Sequence, residues 1–173
     1  MKNGKWIIYC ALWLLAGCTQ QAPQRPSRRM GETPKADSAE LALLEMNRQL
    51  ALSADKQVAQ AAREQTETYA LYDGNAWLHI IDRGEPTGTA PQNGEERTVR
   101  MRICTLDGQL LEDTEHSYRI GKYELPFAVE TNIDELHRGG RMRMYAPWYT
   151  AFGAQGTAHI PAYENVLIEI ELK

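Results

Sequence analysis

Apolar and polar residues alternate through the last six positions of the chain. Val166, Ile168, Ile170 and Leu172 fall on one side of an extended segment, and the residues between them fall on the other side. A strand with one apolar face is typical of an antiparallel sheet that packs on a core by one side. We therefore predict a strand at 163–173 and expect Ile168 and Ile170 to be among the most buried residues.

The two-residue period recurs in five earlier segments, at 76–82, 97–106, 109–113, 116–121 and 141–146. Asp107-Gly108 is a strong hairpin turn between the second and third of them. Pro126 opens a short helix that reaches Leu136, and Gly139-Gly140 closes it. The pattern predicts an α+β fold in which antiparallel strands carry one short helix across them.

The period before residue 70 is helical. Residues 37–40 resemble a capping box, and apolar residues then recur at helical spacing. Ser53 provides a cap for a second helix, so we predict two helices at 38–51 and 54–69. This extension would either form a dimer arm through residues 38–69 or pack on the domain.

The first 17 residues have the pattern of a secretory signal peptide. Lys2 and Lys5 precede an apolar run at 6–15, which is shorter than the roughly 20 residues that cross a bilayer. The tetrad at 15–18, Leu-Ala-Gly-Cys, resembles the lipobox of bacterial lipoproteins. The resemblance implies cleavage before Cys18 and attachment of lipid to its sulfur. An ordinary signal peptide with a chance cysteine is the alternative.

The segment 18–36 is predicted to be a tether between the lipid and the domain, because it contains three prolines and almost no large apolar residue. Its three arginines would contact anionic headgroups or stay solvated. A lipid on Cys18 places the protein in the cell envelope. Thr19 is not the aspartate of the usual inner-membrane retention rule, which favours the outer membrane, on the side facing the periplasm.

Composition and charge exclude few functions. Apolar residues make up 43% of the chain and charged residues 24%, as in ordinary globular proteins. The net charge is -4, and loss of Lys2 and Lys5 leaves 17 basic against 23 acidic residues, or -6. Since neither sign forms a long run, we expect no nucleic acid as a partner.

Cysteine and histidine usage indicates neither a disulfide nor a metal site. Cys104 is the one cysteine that would remain after cleavage and lipidation, and its strand pattern predicts a packed thiol. The histidines lie on separate segments without metal-ligand spacing, at His79, His116, His137 and His159. We expect no cofactor.

From about residue 77 onward the order of segments resembles the FKBP-type peptidyl-prolyl isomerases. The resemblance rests on the Asp-Gly hairpin turn, on the stretch 118–153 and on the ending "IPAYENVLIEIEL". The lipobox and the stretch "EMNRQLALSADKQVA" are similar to FKBP-like lipoproteins associated with bacterial gliding motility. The resemblance implies an antiparallel sheet wrapped across a short helix over 76–173, preceded by a helical extension at 37–70.

In that family the reaction is rotation about an X-Pro bond, over a barrier of roughly 18–20 kcal/mol. A dry aromatic cup around the proline ring and a few hydrogen-bond donors favour the twisted amide, without nucleophile or metal. The resemblance implies that the pocket positions fall on Leu111, Glu112, Leu125, Val129, Phe152, Ile160 and Ile168.

Three positions depart from the family pattern. Val129 stands where the family has the tryptophan that floors the pocket, unless Trp148 fills that place in space. Pro126 stands where a backbone N–H meets the ligand, and proline has no N–H. Phe152 stands where the family has a tyrosine, so a hydroxyl donor is missing. We therefore expect weak catalysis.

Two functions remain open. The first is an envelope-anchored isomerase that acts on Pro-containing segments of exported proteins and assists their folding. The second is a non-catalytic interaction module with the same fold, in an envelope, motility or secretion assembly.

Overall fold

The computed structural model describes residues 38–85 and 89–173. The predicted signal peptide at 1–17, the anchor at Cys18 and the tether at 18–36 lie outside the described residues. Within the described part of the chain, no helix combines the length and the apolar character needed to cross a membrane. The helices and strands are α1 (Ser38–Arg63), β1 (Ala70–Leu71), β2 (Trp77–Asp82), β3 (Glu96–Thr105), β4 (Leu110–Arg119), α2 (Phe127–Glu130), β5 (Arg141–Ala146) and β6 (Val166–Leu172).

The six strands form one sheet in the order β1-β2-β5-β6-β3-β4, and every neighbouring pair is antiparallel. The predicted antiparallel α+β fold is confirmed. The hairpin turn is also confirmed, because the Thr105 amide donates to the Gln109 carbonyl at 2.9 Å and Gly108 has a φ of 89°.

β4 is a single strand, whereas the sequence pattern predicted two strands, at 109–113 and 116–121. Thr114 and Glu115 continue the pairing with Met101 and Arg100 of β3, so nothing interrupts the strand between the two segments. The ladder of β3 imposes this continuity on a stretch whose own alternation is weak.

The main core lies on the inner face of the sheet, where α2 and the turn after it pack. It takes the apolar face of β6, and Ile168 and Ile170 are 0% and 2% exposed, as predicted. Because β6 lies between β5 and β3, its inner side chains have neighbours on both sides. Asn132 is a polar member of this region, and its side-chain amide donates to the carbonyls of Ala128 and Asp73 at 2.8 and 3.0 Å.

α1 is one continuous helix, so the prediction of two helices at 38–51 and 54–69 is wrong. Ser53 lies inside the helix and does not cap a new one. A serine inside a helix costs only about 0.5 kcal/mol relative to alanine. Leu52 and Ala54 on either side are good helix formers, and no proline or glycine interrupts the segment.

Only the second half of α1 packs on the sheet. Ala54, Val58 and Ala62 are buried, and the last two form a second apolar cluster with Tyr69 and Tyr145 on the outer face of the sheet. The part of the helix up to Leu52 leaves six large apolar side chains 41–58% exposed, namely Leu41, Leu43, Leu44, Met46, Leu50 and Leu52. Packing on the domain therefore buries apolar side chains only in the second half of α1.

Cys104 lies in β3 and is 1% exposed. Burial raises the pKa of its thiol. The predicted packed thiol is therefore confirmed.

Charged residues occupy the rest of the outer face in two rows across the strands, with the signs alternating. Glu169 lies at the centre of one row and pairs with Arg143 at 2.9 Å and with Arg102 at 3.0 Å. Burial raises the pKa of Glu169, but the two guanidinium groups lower it by more, so its pKa lies below the usual value.

We expect Glu169→Gln to lower the free energy of unfolding by about 1 kcal/mol at pH 7. The folded-state pKa of Glu169 is depressed, so its contribution is complete above the unfolded-state pKa, about 4.3, and is lost as the pH falls through the lower folded-state value. Urea unfolding from pH 7 to pH 2 should show the difference between wild type and variant narrowing below about pH 4. Glu115→Gln is the matched control, because Glu115 lies in the other row and makes no ion pair with a described residue. An equal loss in both variants would contradict this account.

Candidate functional site

Four of the seven predicted pocket residues belong to the main apolar cluster and two more pack against it, although these six come from five different parts of the chain. Leu111 lies in β4, Leu125 before α2, Val129 in α2, Phe152 and Ile160 in the connection between β5 and β6, and Ile168 in β6. Glu112 follows Leu111 in β4, at an irregularity where the register with β3 shifts. The fold therefore brings these six apolar side chains together.

The exposure of these residues divides them into two groups. Leu125, Val129, Ile160 and Ile168 are 5%, 0%, 1% and 0% exposed, so they offer almost no surface to a ligand. Leu111 and Phe152 are half-buried and pack on the cluster from outside, together with Tyr118. The two partly exposed side chains, Leu111 and Phe152, are called the rim here, because among the six they are the ones that an apolar ligand could contact.

The residue before α2 is a proline, so one backbone hydrogen-bond donor is missing there. Pro126 has no N–H, and its carbonyl accepts the amides of Val129 and Glu130, both at 2.9 Å. The amide of Ala128, the second residue of the helix, donates to the Thr150 carbonyl at 2.9 Å. The Pro126 carbonyl and the Ala128 amide are therefore engaged within the protein.

Ile160 is held in a tight turn at the far end of the connection between β5 and β6. The Thr157 hydroxyl oxygen accepts the Ile160 amide at 3.1 Å, and the Thr157 amide donates to the Ile160 carbonyl at 2.8 Å. Gly156 precedes this turn with a φ of 64°, and an added Cβ would lie 2.2 Å from the Ile160 carbonyl oxygen. Only glycine fits this position.

We predict that Gly156→Ala lowers the free energy of unfolding by about 1–3 kcal/mol, because the methyl group displaces the Ile160 carbonyl. Gly153→Ala is the matched control. Gly153 has a similar φ of 74°, but a methyl group added there would meet no atom within 4 Å, so only the backbone cost applies. Chemical denaturation of both variants measures the difference, and equal losses would show that the contact with Ile160 is unimportant.

Asn165 links the two ends of the connection between β5 and β6 to each other and to α1. The Trp148 amide donates to Asn165 Oδ1 at 2.9 Å, and Asn165 Nδ2 donates to Gln57 Oε1 at 2.8 Å. Asn165 is 8% exposed, so these bonds satisfy a buried amide. The segment that carries Phe152 and Ile160 is therefore fixed at its base by α1.

A second polar contact ties the same segment to α1. The Tyr149 hydroxyl donates to the Asp55 carboxylate and accepts the side-chain amide of Asn75 at 2.8 Å. Burial, together with the hydrogen bond to Asp55, raises the pKa of Tyr149 to about 12. Sequence reasoning missed these contacts, because the partners on α1 are 94 and 108 positions away along the chain.

Trp148 does not replace the missing floor tryptophan. Its ring contacts those of Tyr163 and Tyr149, with centroids 4.8 and 5.5 Å apart, and it belongs to neither apolar cluster. Val129 is itself fully buried in the core. The position that the sequence resemblance assigns to the pocket floor is therefore held by a buried valine.

Two surface cavities, of about 310 and 360 Å³, lie elsewhere on the domain. One is lined mainly by charged residues of the outer face. The other is lined by residues of α1, of the β3–β4 hairpin and of the segment before β6. None of the predicted pocket residues lines either of them. Among residues 38–85 and 89–173, no three His, Cys, Asp or Glu side chains are grouped to hold a metal.

Comparison with solved structures identifies the architecture. A peptidyl-prolyl cis-trans isomerase from Pseudomonas syringae pv. tomato superposes with a TM-score of 0.59 at 17% identity, over 73% of this chain and 92% of that one. FkpA from Escherichia coli gives 0.58 at 18% identity, over 78% of this chain and 63% of that one. The chain has an FKBP-like fold.

The N-terminal domain of FKBP42 from Arabidopsis thaliana superposes on this chain with a TM-score of 0.52 at 19% identity, over 63% of this chain and 92% of that domain. No family model matches the sequence, and no curated protein sequence matches it. At these identities the likeness establishes the fold alone. Within this fold Leu111 and Phe152, which the sequence resemblance assigns to the pocket, lie at the edge of the buried cluster.

Proposed function

We propose that this protein is an envelope-anchored, FKBP-like isomerase with weak catalysis that binds Pro-containing segments of exported proteins. The observation that carries the proposal is the combination of an FKBP-like fold with a floor closed by valine. Solved isomerases share the fold, and the half-buried rim of Leu111 and Phe152 offers an apolar contact for a proline ring. The full burial of Val129 limits how deeply that ring could enter.

Titration calorimetry of the full-length chain tests the binding part of this proposal. A short peptide with one X-Pro bond should bind more tightly than the same peptide with alanine in place of proline. Phe152→Ala should weaken the first interaction, and Phe127→Ala, which changes an exposed phenylalanine in α2, is the control. Equal binding of both peptides would contradict the proposal.

The envelope location rests on the lipobox at 15–18. We predict that Cys18→Ala leaves the chain unprocessed or releases it from membranes, because the lipid has no other attachment point in the motif. Membrane fractionation together with the mass of the mature protein measures this. A variant that stays with the membranes at normal mature mass would contradict the lipid anchor.

A non-catalytic interaction module, similar by sequence resemblance to the gliding-motility lipoproteins, is the second candidate function. The observation that favours it is the exposed apolar first half of α1. A dimer through residues 38–69 would cover these side chains. Sedimentation of the full-length chain and of a Leu43→Lys, Leu50→Lys variant tests the dimer, because two charges in its interface should leave a monomer.

A further inference from the structure

β4 forms one edge of the sheet and is ten residues long. Natural proteins usually shorten or cover such an edge, because its unpaired N–H and C=O groups accept another strand. β4 pairs with β3 on one side, and none of the described residues pairs with its other side. The position of the free backbone groups follows from the ladder.

The residues of β4 whose backbone groups face outward are Asp113, Glu115, Ser117 and Arg119. The Ile120 amide donates to the Glu95 carbonyl, which makes Arg119 and Glu96 a pair without direct hydrogen bonds between them. Hydrogen-bonded and non-bonded pairs alternate in an antiparallel ladder, so every second residue before Arg119 also directs its N–H and C=O away from β3.

The free edge of β4 is limited at one end by Arg119 and at the other end by a shift in the register with β3. The Arg119 amide, which also faces outward, donates to the Glu124 carboxylate at 2.8 Å. At the other end, the register with β3 shifts between Ile103 and Cys104, opposite Glu112 and Leu110. The stretch 113–117 that remains is five residues long, the usual length of a β-strand.

The charge of the edge favours a basic partner. Glu115 is exposed and makes no ion pair with a described residue, whereas Asp113 is paired with Arg100 at 3.0 Å, so Glu115 carries the unbalanced charge of this stretch. A second copy that paired its own β4 about a two-fold axis at Glu115 would place the two Glu115 carboxylates opposite each other, which is unfavourable. A strand with Lys or Arg opposite Glu115 would be stabilised instead.

We propose that residues 113–117 of β4 bind an extended polypeptide segment that carries Lys or Arg and adds a strand to the sheet. This interaction uses backbone hydrogen bonds and needs no proline, so it is distinct from the proposed X-Pro site and does not depend on it. Its occupant is another polypeptide chain.

The test uses the full-length chain and a synthetic eight-residue peptide that alternates lysine with valine and contains no proline. Ser117→Pro removes an outward N–H but no bond to β3, so we expect the Kd for this peptide to rise about tenfold. Ser117→Ala is the matched control, since it removes the same contact with the Thr98 hydroxyl but keeps the N–H, and its Kd should stay within about twofold of wild type.

Two further comparisons keep the test informative if Ser117→Pro folds poorly. Glu115→Lys should raise the Kd for the lysine peptide about threefold or more and favour a peptide with glutamate in place of lysine. A peptide with N-methyl groups on alternate residues should lose the binding, because it cannot donate to the edge.

The proposal is overturned if the lysine peptide does not bind, or if N-methylation or Glu115→Lys leaves its Kd unchanged. Amide exchange at residues 113, 115 and 117 identifies a different occupant. Protection that rises with protein concentration would indicate a second copy. Protection in the free monomer would indicate that the chain's own basic segment at 25–29 covers the edge. Either result contradicts an external partner.

Discussion

Ile168→Ala should destabilise the protein by about 2–5 kcal/mol, the usual cost of truncating a fully buried isoleucine. Ile168 is 0% exposed and lies on the inner face of β6, between Met144 of β5 and Ile103 of β3. These neighbours belong to paired strands and cannot move into the space that the smaller side chain leaves. The cost should therefore fall in the upper part of the range.

Chemical denaturation of Ile168→Ala measures this loss. Leu167→Ala is the matched control, because Leu167 is the next residue of the same strand and is only partly buried, on the outer face. We expect the control to lose less stability. A near-neutral Ile168→Ala would show that the register of β6 is wrong, because a shift by one residue exchanges the two faces.

The second large effect concerns catalysis. We expect Phe152→Tyr to raise the isomerase rate about tenfold, because it restores one hydrogen-bond donor at the rim, and each donor used only in the transition state contributes roughly 1–3 kcal/mol. Phe152 is half-buried at the edge of the main core. A protease-free assay of X-Pro isomerisation on a short peptide measures the rate.

Phe127→Tyr is the control for this gain. Phe127 is 47% exposed in α2 and is the only other phenylalanine of the chain, so the same hydroxyl is added at a residue that is not part of the rim. Its rate should equal that of wild type. An equal gain in both variants, or none in Phe152→Tyr, would show that a hydroxyl at position 152 has no catalytic role.

Val129→Trp, which would place the family's tryptophan at the position assigned to the pocket floor, has a different expected effect. Val129 is 0% exposed in the core, and a tryptophan in its place would overpack a filled site at a cost of about 1–3 kcal/mol or more. Val129→Trp should therefore destabilise the protein, and its activity would not report on the floor alone. The substitution would need compensating changes in the residues around Val129.

The sequence predicted the fold well where the alternation of side chains is strong. β6 and β5 follow from the two-residue period, and the hairpin at Gly108 follows from its Asp-Gly pair. The pattern failed for α1, where Ser53 has the chemistry of a cap but tolerates the helix interior. It failed again for β4, whose continuity depends on the partner strand.

The candidate site was predictable only as a set of positions. The resemblance identified Leu125, Ile160 and Ile168, and the fold does bring them together. Their burial depends on how closely α2 packs against the sheet, which no local pattern reports. The contacts of Asn165 and Tyr149 with α1 join distant segments, so the single sequence carries no signal for them.

The catalytic efficiency of the wild-type full-length chain, assayed on a short X-Pro peptide beside the Pseudomonas syringae isomerase, tests the central claim most directly. Two missing donors, at roughly 1–3 kcal/mol each, predict a rate about thirtyfold to more than ten-thousandfold below that of the reference enzyme. We expect this deficit in rate together with measurable binding of the peptide. A rate equal to that of the reference enzyme would contradict the proposal of a weakened site.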